Sequence, residues 1–282
     1  MRGREYSNVP QNGTITLVAV PTLLDKDRPV SPSNADSLWQ HEQLTVGQLE
    51  CHLVVPSRDP ATHLITLCHG FGAPGDDMLG LVPWFLEKMP SHLRHLRPAW
   101  LVPAAPLSLA ADGFGDGRAW WRLSIQTMLD SFAEGHYDVL RHQIPDGIDA
   151  ARDALTETIE ATLKRFSLPH SKLTLGGFSQ GAMLSVDTAL RGLAQPPAGL
   201  WLYSGTLICE LQWKPLAQRL QDTGIVQSHG TLDPILPRIT GQWLCELLRE
   251  SGNQVDFVSF VGPHTIPPEA ITACWKSFEE RM

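Results

Sequence analysis

Leu173-Thr-Leu-Gly-Gly-Phe-Ser-Gln-Gly-Ala-Met-Leu-Ser-Val-Asp-Thr-Ala-Leu190 reads as three pieces in direct succession. The run Lys172–Gly176 has the make-up of a buried strand, and Ala182–Leu190 has a helical pattern. Between them Gly177-Phe-Ser-Gln-Gly181 is G-x-S-x-G. A turn that tight leaves no room for side chains beside the central residue, which calls for glycine on either side. It also forces Ser179 into a strained backbone conformation that exposes its hydroxyl. The helix that follows presents its N-terminus to any negative charge that develops there. This is the strand–turn–helix setting of a nucleophile elbow in an α/β-hydrolase.

Outward from this point, the chain alternates short apolar runs with longer amphipathic stretches from about residue 63 onward. That pattern predicts an α/β fold: a mostly parallel central sheet with helices on both faces. Strands are expected at His63–Cys68, Ala99–Val102, Lys172–Gly176, Gly199–Tyr203, Gly224–Ser228 and Val255–Phe260. Several are apolar throughout, as parallel strands buried on both sides should be. Ile148, Ala151, Leu155, Ile159, Leu163 and Phe166 recur every three or four residues, which predicts a helix with Asp146 as its N-cap. Further helices are expected over Ile239–Ser251, closed by Gly252, and Pro267–Arg281, opened by prolines.

Residues 1–62 read as an N-terminal extension of the same domain, with 63–282 as the catalytic domain. Within the extension, Thr14–Val20 and Val46–Val55 look like antiparallel edge strands joined by the Pro-, Asp- and Ser-rich segment Pro21–Leu38. Asp112–Gly147 has little pattern and holds Trp120-Trp121, so it reads as a substrate-binding insertion.

Composition removes several function classes. A net charge of −8 over 282 residues, with no Lys/Arg cluster, argues against a nucleic-acid partner. Ser91-His-Leu-Arg-His-Leu-Arg97 reads as a solvated turn. The five cysteines are widely spaced and never form C-x-x-C, so neither a disulfide framework nor a metal site is expected. No apolar run approaches the roughly 20 residues of a spanning helix, and no secretory signal pattern opens the chain. A cytoplasmic enzyme without cofactor or metal is the expectation.

A serine hydroxyl needs a base to take its proton and a carboxylate to hold that base, and in this fold they follow the serine, acid first. Two histidines, His229 and His264, lie beyond Ser179. Asp233 in His229-Gly-Thr-Leu-Asp-Pro234 and His264 in Gly262-Pro-His-Thr265 each follow a predicted strand, where sites form in open α/β sheets. They are assigned as orienting acid and base, with His229 shaping the Asp233 loop. Asp187 and Asp222 are set aside as helical residues. Donors for a tetrahedral oxyanion are expected from the N–H of Gln180 and of Phe71, the latter in the glycine-rich loop after the strand His63–Cys68.

Together, His69-Gly-Phe-Gly72, Gly176-Gly-Phe-Ser-Gln-Gly-Ala182, His229-Gly-Thr-Leu-Asp-Pro-Ile-Leu-Pro237 and Gly262-Pro-His-Thr265 resemble the phospholipase/carboxylesterase family, which includes acyl-protein thioesterases and small bacterial carboxylesterases. The resemblance spans roughly residues 60–282. It implies the same roles for Ser179, Asp233, His264, Phe71 and Gln180, and a small-molecule ester or thioester as substrate. Arg118-Ala-Trp-Trp121 is similar to the aromatic segment before the substrate pocket in such proteins, which gives Trp120 and Trp121 an expected place lining an acyl or alcohol pocket. Ala73-Pro-Gly-Asp-Asp77 departs from the thioesterase branch, where Asp directly follows the His-Gly-x-Gly loop, and points to a carboxylesterase.

Overall fold

A computed structural model describes residues 38–281. Ten strands run through them in chain order: β1 (Trp39–Val46), β2 (Leu49–Pro56), β3 (His63–Cys68), β4 (Pro98–Pro103), β5 (Leu107–Ser108), β6 (Arg118–Ala119), β7 (Leu173–Phe178), β8 (Gly199–Tyr203), β9 (Gly224–Gly230) and β10 (Val255–Phe260). The α-helices are α1 (Val82–Lys88), α2 (Ile125–Ala133), α3 (Val139–His142), α4 (Ile148–Phe166), α5 (Gln180–Asp187), α6 (Glu210–Trp213), α7 (Arg238–Glu250) and α8 (Pro268–Glu279). Eight strands form the main sheet in the order β1-β2-β4-β3-β7-β8-β9-β10. β2 is antiparallel to β1 and to β4, and every pairing from β4 to β10 is parallel. β5 and β6 make a separate antiparallel ribbon.

Alternation along each strand divides the core into two layers, because successive side chains point to opposite faces. Leu64, Leu101, Leu200 and Ile225 face one layer, where they pack with Leu155 of α4, Val186 of α5 and Leu244 of α7. Ile65, Trp100, Trp201 and Val226 face the other, against Phe85 of α1 and Trp275 of α8. There the Phe85 ring stacks on Trp201 with centroids 5.2 Å apart, and the Trp275 indole N–H donates to the Phe85 carbonyl at 2.9 Å. That bond satisfies the polar edge of a fully buried tryptophan.

The predicted strands and helices from residue 63 onward are present, with ends displaced by a few residues. Several local readings are corrected. The run Val46–Val55 is not one strand: Gly47, at φ 59°, turns the chain between β1 and β2. β1 (Trp39–Val46) lies almost wholly in residues 39–45, which carried no strand signal, because an edge strand with one wet face carries few apolar residues. Thr14–Val20 lies outside the described residues. Asp146 does not cap α4; Gly147, at φ 91°, holds the N-cap position without a side-chain bond. Asp222 stands in the turn before β9, not on a helix.

Asp112–Gly147 is more ordered than its composition predicts. It contains α2, whose N-cap Ser124 accepts from the Thr127 N–H at 3.2 Å. Ile125, Met128, Leu129 and Phe132 supply its apolar face, and Met128 and Phe132 are buried. The segment Ser91–Arg97 opens with a short 3-10 turn, Ser91–Leu93, and is anchored by buried Leu93 and Leu96.

Candidate active site

Ser179 sits between β7 and α5 with φ 54° and ψ −116°. For a residue with a Cβ this is a strained region, held only where the surroundings over-determine it. Two contacts do so here. The Ser179 N–H donates to the Tyr203 carbonyl of β8 at 2.8 Å, and the Ala182 N–H donates to the Ser179 carbonyl at 3.0 Å. The flanking glycines are required by space: a Cβ on Gly177 would lie 2.6 Å from both the Cys68 carbonyl oxygen and the Gly181 backbone, and one on Gly181 would collide with that same Cys68 carbonyl. β3 and the first turn of α5 are therefore in backbone contact.

Asp233 lies in the loop after β9. Its Oδ1 accepts from the Ile235 and Leu236 N–H groups at 2.9 and 2.8 Å. Its Oδ2 accepts from Nδ1 of His264 at 2.6 Å, the length of a charge-assisted bond. Both side chains are buried. Gly230 lets the histidine loop reach Asp233, since a Cβ there would run into the carbonyls of Gly262 and Pro263. The His264 ring packs against Phe178, the residue before Ser179, with centroids 4.6 Å apart. The structure thus gathers the ends of β7, β9 and β10 at one place.

His229 is fully buried beside Asp233. Its Nε2–H donates to the Leu236 carbonyl at 2.8 Å and stands 3.4 Å from Asp233 Oδ2. Burial pushes its pKa below the usual histidine range, opposed by the Leu236 carbonyl. A neutral His229 supports the loop without adding a charge beside the Asp233–His264 pair.

The loop after β3 comes next to the turn: a Cβ on Gly70 would lie 3.4 Å from Cβ of Ser179. Among the described residues, neither the Phe71 N–H nor the Gln180 N–H meets a protein acceptor. Phe71 directly follows Gly70, and Gln180 directly follows Ser179, so both unengaged N–H groups belong to the two segments that meet here.

Trp120 and Trp121 do not line an opening. They are 1% and 2% exposed and belong to the core. Trp120 lies under the β3 loop, its indole N–H donating to the His69 carbonyl at 2.9 Å and its ring 5.5 Å from the His69 imidazole. The Gln180 side chain, also buried, accepts from the Trp120 N–H at 3.0 Å and donates to the Trp121 carbonyl at 2.9 Å. Sequence reasoning left out these contacts with Gln180 and His69. The residues stand in quoted motifs, but partners 51 and 60 positions apart have no local signature. Among the described residues, no group of three or more His, Cys, Asp or Glu side chains could hold a metal ion. No helix among them is long and apolar enough to cross a membrane.

Comparison with known proteins agrees with this architecture. The family model described as Phospholipase/Carboxylesterase matches residues 49–280. An acyl-protein thioesterase 1 of Neurospora crassa is 24% identical over 237 residues, covering 82% of this chain and 91% of that protein. An acyl-protein thioesterase 1 of Debaryomyces hansenii is 26% identical over 241 residues, covering 81% and 92%. Among solved structures, esterase PE8 superposes with a TM-score of 0.62 at 20% identity, covering 87% of this chain and 100% of that one. A carboxylesterase from Mesorhizobium loti gives a TM-score of 0.63 at 18% identity, covering 85% and 98%. The fold is that of the α/β-hydrolases, and the chain belongs to the phospholipase/carboxylesterase family, a family of carboxylesterase- and thioesterase-type hydrolases.

Proposed function

We propose that this chain is a serine carboxylesterase in which Ser179 is the nucleophile, His264 the base and Asp233 the acid that orients it. The observation that carries the reading is the 2.6 Å bond from His264 Nδ1 to Asp233 Oδ2 beside a serine held at positive φ. With its proton on Nδ1, the imidazole has a free lone pair on Nε2, the atom that accepts a proton from Ser179 Oγ. The oxygen attacks the ester carbonyl carbon, and the Phe71 and Gln180 N–H groups receive the resulting oxyanion. Collapse expels the alcohol, which takes the proton from His264 and leaves an acyl group on Ser179. Water then attacks the acyl carbon, gives its proton to His264 and releases the acid. Ser179 recovers its hydrogen as the second tetrahedral intermediate breaks down.

The preference for oxygen esters rests on Ala73, which brings no carboxylate beside the Phe71 loop. The second reading, an acyl thioesterase, is favoured by the fungal relatives. Both use the same residues, so the comparison that separates them is kcat/KM on matched oxygen esters and thioesters across acyl lengths. Faster turnover of the oxygen esters supports the carboxylesterase, and faster turnover of the thioesters overturns it. A fluorophosphonate probe tests the shared chemistry: modification mapped to Ser179 and lost in His264→Ala supports it, and modification elsewhere contradicts it.

A further inference from the structure

We infer that His69, Trp120 and the side chain of Gln180 are positioning groups, linked into one hydrogen-bonded frame that fixes the Phe71 and Gln180 N–H groups relative to each other. The inference rests on the proposed oxyanion role of those two groups. It adds to that role an account of what keeps donors from two distant parts of the chain in register.

On the Gln180 side, the side-chain amide is fixed at both ends. A backbone N–H can only donate and a carbonyl can only accept, so Oε1 faces the Trp120 N–H at 3.0 Å and Nε2 faces the Trp121 carbonyl at 2.9 Å. The residue whose main chain would supply one oxyanion donor therefore grips residues 120–121 with its side chain.

Residues 118–120 grip the other donor's loop in turn. The Trp120 indole N–H donates to the His69 carbonyl at 2.9 Å. The Arg118 carbonyl accepts from the Gly72 N–H, and the Arg118 N–H donates to the Ala73 carbonyl, each at 2.9 Å. Phe71 lies inside this bracket.

His69 sets the last angle. Its Nε2 accepts from the Ala105 N–H at 3.0 Å, which places the ring proton on Nδ1, and Nδ1–H donates to the Gly70 carbonyl at 2.8 Å. That carbonyl and the Phe71 N–H belong to one planar trans peptide and point in opposite directions. Holding the Gly70 oxygen therefore aims the Phe71 hydrogen. Burial, which pushes the His69 pKa down to about 4, keeps the imidazole in this neutral form.

The frame is tested with His69→Gln, which keeps an acceptor near the Nε2 position but loses the donor to Gly70, and Gln180→Met, which keeps volume and removes both amide bonds. Each should lower kcat on a p-nitrophenyl ester by about 10–100-fold, somewhat less than deletion of an oxyanion donor itself. KM should stay within about twofold, since an interaction made in the transition state is lost from kcat. Affinity for a trifluoromethyl ketone, which forms a charged tetrahedral adduct, should fall in parallel with kcat. The double variant should be about as slow as the worse single one, because links of one chain are not additive. His69→Asn, which retains a donor near Nδ1, should recover much of the loss. Trp120→Phe keeps an aromatic ring in the core and should lower kcat by about tenfold through loss of one link. Losses that multiply, a rise in KM with kcat unchanged, or His69→Asn no better than His69→Gln would overturn the frame. Failure of the underlying reading looks different: wild-type enzyme would not bind the ketone tightly, or Ser179→Ala would keep full turnover.

Discussion

The Nδ1–H of His264 reaches Oδ2 of Asp233 at 2.6 Å, while the other oxygen of the same carboxylate takes two backbone N–H groups of its own loop. The two oxygens thus have separate tasks, one anchoring the loop and one holding the imidazole. Asp233→Asn should keep the loop, because the amide oxygen can still accept from Ile235 and Leu236. It then turns an NH2 toward Nδ1, which favours the tautomer with the proton on Nε2. Turnover should fall by about 10⁴-fold with little change in melting temperature. Steady-state kinetics and thermal melting check this together, and a fall of less than about tenfold would remove Asp233 from the orienting role.

Ser179 carries strain that glycine would not. Ser179→Ala retains the Cβ at φ 54°, whereas Ser179→Gly relieves it. The glycine variant should be more stable than the alanine variant by about 1 kcal/mol, within the range for one residue in a sparsely populated backbone region. Urea unfolding of the two inactive proteins measures the difference. Equal stabilities would show that the turn is unstrained.

Asp187, at the end of α5, is fully buried and holds three elements together. Its Oδ1 accepts from the Trp213 indole N–H at 2.8 Å and from Arg191 at 3.0 Å, and its Oδ2 faces Arg152 of α4 at 3.4 Å. Asp187→Ala leaves two arginines short of a buried partner, and stability should fall by about 3–5 kcal/mol. Denaturant unfolding reads this, and a loss below about 1 kcal/mol would mean the network adds little.

His69 should make the protein sensitive to acid. Burial lowers its pKa from 6.5 to about 4, so the unfolded chain binds a proton that the folded chain refuses. Its contribution is complete above the unfolded value near 6.5 and is lost as pH falls toward 4, amounting to about 3 kcal/mol across that window. Unfolding free energies at pH 7 and pH 4.5 should differ more in the wild type than in His69→Asn, which has nothing to titrate there. An equal pH dependence in both would contradict the assignment.

What could be read from the sequence follows how local each signal is. The turn at Ser179 is written in five consecutive residues, and the loops of Asp233 and His264 directly follow apolar strands, so each could be placed without the fold. The polar strand Trp39–Val46 could not, because its order comes from pairing with β2 and not from its own apolar content. α2 did carry a signal in Ile125, Met128, Leu129 and Phe132, hidden by the charged and glycine-rich residues around it. Trp120 and Trp121 looked like pocket residues because aromatics serve sites and cores alike; their burial places both in the core, with Trp120 beneath the β3 loop. The bonds from Gln180 to Trp120 and from Trp120 to His69 join three distant stretches and exist only in the folded chain.

The most direct test is turnover of a short p-nitrophenyl ester by Ser179→Ala, with folding verified by thermal melting. A serine that forms the acyl-enzyme predicts loss of several powers of ten in kcat, about 10⁶-fold where nucleophile, base and acid act as a unit. A folded Ser179→Ala protein that hydrolyses the ester at the wild-type rate would contradict it.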